Sequence, residues 1–130
     1  MFYIFKNQDE RRKFGSTAFM ELQYCKLKRG TKIKKIVSIN KIKNWQDDSL
    51  YIYMDDMDRF YFNYEKCFGY GTYNNLKSGF FDEFGINYYS LEQTEQIIKT
   101  IEKEKPEDYQ TLLSWLDKVK DYNGFYILGI

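Results

Sequence analysis

The run Phe125-Tyr126-Ile127-Leu128 offers almost nothing polar to water. Successive side chains of a strand point to opposite faces, so a strand apolar at successive positions needs cover on both. This predicts a central strand, which demands partners on either side and layers laid across them. Asn123-Gly124, immediately upstream, is a helix C-cap signal, so the strand is entered from a helix.

Two amphipathic helices are predicted before it. Ser90 and Gln93 have the spacing of a capping box. Thr94, Ile97, Ile98 and Ile101 then recur at helical spacing, with Glu92, Gln96, Lys99 and Glu102 outside. Lys105-Pro106 ends this helix, and Pro106 can open the next at its first position, with Glu107 and Asp108 at the positive end of the dipole. Tyr109, Leu112, Leu113, Leu116 and Val119 form the second helix's apolar face.

Further upstream the pattern is mostly β. Residues 2–5 read as a strand, 7–12 as a polar turn, 18–27 as a strand in preference to a short helix, and 33–39 as a twisted or edge strand. Residues 50–54 and 59–64 flank Asp55-Asp56-Met57-Asp58. Phe60, Phe62 and Tyr64 alternate with Arg59, Tyr61 and Asn63, which predicts an antiparallel hairpin with an acidic loop. Residues 68–85, with Gly69, Gly71, Gly79 and Gly85 among aromatics, read as a long ordered loop. Strands, then two helices, then a last strand predict an α+β fold. An antiparallel or mixed sheet carries the two C-terminal helices on one face and the last strand in its centre. With 43 % hydrophobic residues in a chain of 130, residues 1–130 can form one domain without metal or disulfide.

Histidine is absent, which removes the commonest general base and rules out Ser-His-Asp and Cys-His nucleophile arrangements. No phosphate-binding glycine motif occurs; Gly69-Tyr70-Gly71 lacks the third glycine and opens no helix. Cys25 and Cys67 are too far apart for a zinc signature and read as buried free thiols. These absences predict a protein that is not an enzyme and carries no cofactor or metal. The N-terminus lacks the basic region of a signal peptide and no run of 18 apolar residues occurs, so a cytoplasmic protein without a membrane partner is expected.

A net charge of +1 conceals a dipolar layout. Between Cys25 and Trp45 stand eight basic residues and no acid; from Asp47 to Asp58 stand five aspartates and no base. Asp55, Asp56 and Asp58 admit three readings: a solvated turn, a partner-facing patch, or ligands for Mg²⁺. Lys28, Arg29, Lys32, Lys34 and Lys35 could contact a nucleic-acid backbone, face a protein, or keep the chain soluble. The near-neutral balance and the lack of interleaved aromatics argue against nucleic acid. Tyr70, Tyr73 and Phe80, with Phe81, either offer aromatic contact area to a partner or fold back over the sheet.

The ending Leu113-Ser114-Trp115-Leu116 through Asn123-Gly124 to Ile130 resembles that of small bacterial immunity proteins, which accompany contact-dependent growth inhibition and related polymorphic toxins. The resemblance implies a non-catalytic protein that binds a cognate toxin domain, often a nuclease, and neutralises it. The partner-binding residues expected on that basis are Asp55, Asp56, Asp58, Tyr70, Tyr73 and Phe80. The alternative is a nucleic-acid-binding accessory domain acting through residues 26–43.

Overall fold

The computed structural model describes residues 1–14 and 18–129. Among these residues seven strands form one sheet: β1 (Phe2–Tyr3), β2 (Phe19–Tyr24), β3 (Leu50–Tyr53), β4 (Gly71–Tyr73), β5 (Ser78–Gly79), β6 (Ile86–Tyr89) and β7 (Phe125–Leu128). Their spatial order is β1-β3-β2-β7-β6-β4-β5, and every pairing is antiparallel. The last strand therefore lies in the middle, between β2 and β6, with all four of its residues buried. Gly124 enters it at φ +86, where a Cβ would strike the Tyr89 carbonyl oxygen at 2.2 Å. Only glycine fits both the dihedral and the space.

The helices are α1 (Gln8–Lys13), α2 (Ile33–Ile36), α3 (Met57–Tyr64), α4 (Leu91–Glu104) and α5 (Tyr109–Asp117). Of these, α3, α4 and α5 cover one face of the sheet. Met20, Leu22 and Tyr24 of β2, Leu50 and Ile52 of β3, and Phe125 and Ile127 of β7 meet Phe60, Ile97, Ile101, Leu112 and Leu116 in one continuous core. The α+β class, the central last strand and the two C-terminal helices are as the sequence predicts. Ser90 caps α4 reciprocally: its Oγ accepts from the Gln93 N–H at 3.1 Å, and Gln93 Oε1 accepts from the Ser90 N–H at 2.8 Å. Helix α5, however, starts at Tyr109 rather than Pro106, because Asp108 takes a left-handed conformation, φ 58.

The main departure is the segment 57–64, which is helix α3 and not the second strand of a hairpin. Met57, Phe60 and Tyr64 are buried on one helical face, whereas Phe62 is 85 % exposed. An eight-residue stretch this rich in aromatics fits a period of 2 and of 3.6 alike. Asp55, Asp56 and Asp58 lie at its N-terminal end, where the helix dipole favours negative charge. Segment 33–39 is likewise not a strand: Ile33–Ile36 is the short helix α2 and Ile39–Lys41 a 3-10 turn, with Ile36 and Val37 buried where α2 ends. The 7–12 turn is helix α1, capped by Asn7 Oδ1 accepting from the Glu10 N–H at 2.9 Å. The 68–85 loop contains the β4–β5 hairpin. Gly71 lets the Tyr89 ring approach within 3.0 Å of where its Cβ would be. Strand β6 follows at once. Among the described residues no helix is long and apolar enough to cross a membrane.

Candidate functional surface on helix 3

A 3-10 turn, Met54–Asp56, runs straight into α3 and gives residues 54–64 a single helical sweep. Residues three and four apart then share a face. Asp55, Asp58 and Phe62, with Glu65 and Lys66 just past its end, fall on the outer face of that sweep, and all five are exposed. The outward stripe thus carries three carboxylates, one ammonium and one large apolar ring.

The basic residue within this stretch is directed elsewhere. Arg59 Nε donates to Glu107 Oε2 at 2.8 Å, and Nη2 donates to Glu107 Oε1. Arg59 Nη1 reaches Asp56 Oδ1 at 3.5 Å. Hydrogen bonding from the Arg59 guanidinium holds the Glu107 carboxyl below the usual carboxylate range. The fork ties α3 to the connection between α4 and α5, and it leaves Asp55 and Asp58 facing outward. Burial pushes the Tyr61 phenol above its ordinary value, with the nearby carboxylates of Glu83 and Asp82 adding to the effect. Those two acids therefore add to the negative field beside α3.

The six residues expected to face a partner are dispersed. Asp55 and Asp58 are exposed on the stripe, while Asp56 is half-buried and held by Arg59. Tyr70 is 68 % exposed at the start of α4, where its carbonyl accepts from Gln93 Nε2 at 2.9 Å. Tyr73 and Phe80 are half-buried, with the Tyr73 hydroxyl donating to the Phe80 carbonyl. The Phe80 ring lies 5.9 Å from that of Tyr61 and 5.0 Å from that of Phe81, so it props the flank of α3. Among the described residues no three acidic, cysteine or histidine side chains gather as a metal-holding group, Asp55, Asp56 and Asp58 included.

The basic residues form a separate region. Lys28, Lys32, Lys34 and Lys35 are exposed around α2, and Arg29 is turned onto the carbonyls of Tyr122 and Lys120. Helix α2 docks through Ile36 and Val37 onto Tyr126, on the sheet face opposite α3. Asp55 and Asp58 thus lie on the other side of the sheet from α2, whereas Asp48 of the same acidic block pairs with Lys26 at 2.8 Å.

Phe62 was missed as a surface residue because strand alternation assigns it to the core beside Phe60 and Tyr64. The signal for its exposure is the helical spacing of Met57, Phe60 and Tyr64, which leaves position 62 outside. No protein-family model matches the chain, and neither does any curated protein or solved structure.

Proposed function

We propose that this chain is a non-catalytic bacterial immunity protein that binds and neutralises a cognate toxin domain in the cytoplasm, using the outward stripe of α3. The observation that carries this reading is Phe62: a phenyl ring 85 % exposed, in helical register with three carboxylates. Interfaces draw most of their affinity from a few aromatic anchors, and surrounding charge steers encounter and selects the partner. A ring in a mainly acidic stripe suits a partner with an apolar notch in a basic surface, and a nuclease carries basic residues where it meets the phosphate backbone. Phe80, packed against Tyr61, borders the same surface.

The nucleic-acid alternative has less support. Arg29 is committed to backbone carbonyls and Lys26 to Asp48 at 2.8 Å, which leaves mainly lysines on a short helix. The direct test is co-expression with the product of the neighbouring upstream gene, which this reading predicts to be the toxin. A stoichiometric complex that restores growth is expected, and a toxin that stays active and unbound refutes the assignment.

A further inference from the structure

On the face of the sheet away from α3, Arg11 is only 5 % exposed. Its guanidinium carbon lies 3.7 Å from the centroid of the Trp45 ring. Among the described residues its Nε and Nη1 have no hydrogen-bond partner, which leaves three of its five N–H donors unsatisfied. An aromatic face attracts a cation but does not replace an oxygen acceptor. A buried guanidinium whose N–H groups lack acceptors is a costly arrangement for a fold to keep.

The obvious internal counter-ion is already engaged. Glu21, 2 % exposed, accepts from the N–H groups of Trp45 at 2.7 Å and Gln46 at 2.9 Å, from Ser49 Oγ at 2.6 Å and from Gln23 Nε2 at 3.0 Å. These bonds hold the backbone of Trp45 at φ 67, a left-handed conformation rare for a bulky residue. Glu21 therefore fixes the indole under Arg11, and among the described residues it makes no hydrogen bond to the guanidinium. Arg11 and Trp45 line a cleft of about 350 Å³, within the range of small-molecule sites, together with Phe5, Lys6, Asp47 and Tyr51.

We propose that this cleft binds a small monocarboxylate carried on a flat apolar body, with the carboxylate on Arg11 and the body among Phe5, Trp45 and Tyr51. A planar guanidinium matches a carboxylate in shape and charge. Three rings supply the apolar wall, and Lys6 adds a second positive charge. Asp47, exposed on the lining, opposes more highly charged anions such as phosphate. The site is on the opposite face from the α3 stripe and does not depend on the toxin-binding assignment.

The test is a titration of the ¹⁵N-labelled full chain with benzoate, acetate and inorganic phosphate at constant ionic strength. Saturable shifts of the Trp45 indole N–H and the Arg11 Nε–H are followed. Benzoate should bind about tenfold more tightly than acetate, because only benzoate buries a ring. Phosphate should bind more weakly than benzoate. Arg11→Met should weaken benzoate by about thirtyfold, the cost of removing one partner of a buried charge pair. It should also melt no lower than the parent, because it deletes an unpaired buried charge. Asp47→Asn should tighten benzoate by about twofold. Phe62→Ala should leave it unchanged. Should Arg11→Met not fold, Arg11→Lys serves, and the loss of the planar fork should weaken benzoate at least severalfold. Shifts that never saturate, equal affinity in the Arg11 variants, or phosphate binding more tightly than benzoate would each overturn the proposal.

Discussion

The two faces of the sheet are built on different principles. Under α3, α4 and α5 lies one unbroken apolar cluster, in which Phe60, Tyr64, Phe68 and Phe81 interlock at centroid separations of 5.2 to 6.2 Å. Among the described residues the other face has two smaller apolar clusters, one around Tyr126 and Leu128 and one around Phe5, Phe19 and Tyr51. Buried Glu21, Gln23 and Arg11 lie on that side. The helical face is where burial stabilises the fold. The opposite face keeps polar groups inside, and each is tolerated only as far as it is hydrogen-bonded. Among the described residues Glu21 meets four donors while Arg11 Nε and Nη1 meet no acceptor, so a satisfied and an unsatisfied buried charge stand on the same face.

The contrast predicts a graded response to substitution. Phe60→Ala empties the middle of the helical face and should cost about 3–5 kcal/mol, measured by urea unfolding. A loss as small as that of a surface change would mean the cluster is not the source of stability. Glu21→Ala strands several buried donors at once, and should cost about 2–4 kcal/mol and loosen residues 45–49 by hydrogen exchange. Unchanged protection there would show that the carboxylate does not organise the polar face.

Both faces should weaken together at alkaline pH. Burial raises the phenols of Tyr24 and Tyr64 on the helical face and of Tyr51, Tyr88 and Tyr126 on the other. It pushes the Cys67 thiol up to about 11. These groups favour their neutral forms when folded, so their contribution is complete below the ordinary values, about 8.5 for Cys and about 10 for Tyr. It is lost as pH rises through the raised ones. The melting temperature should hold from neutrality to pH about 8.5 and fall above it, and a flat profile to pH about 11 contradicts the assignment. Ser90→Ala removes the α4 cap and should cost about 1 kcal/mol, seen as a small drop in the urea midpoint.

The sequence was legible where local signals and tertiary demands agree. Ser90 and Gln93, the stripe from Thr94 to Ile101, and the apolar run into β7 each admit one structure, and the fold has it. Legibility failed where a short segment fits two periods. In α3, Phe60, Phe62 and Tyr64 share a face only in a strand, and the cover supplied by β1 and the 80–81 segment decides for the helix. For the same reason Asp55 and Asp58 were visible as an acidic group, but their partner Phe62 was not. Arg11 was invisible as a buried residue because its cover comes from Trp45, far away in sequence and positioned by Glu21.

The central claim is that the outward stripe of α3 is a working surface rather than part of the core, and Phe62→Ala tests it most directly. Folding stability should change by less than about 0.5 kcal/mol, since the ring is exposed. The dissociation constant for the co-expressed toxin should rise by about thirtyfold or more, as expected for an aromatic anchor worth about 2 kcal/mol or more. Toxin affinity equal to that of the parent, in a variant that folds as well as the parent, would contradict the account.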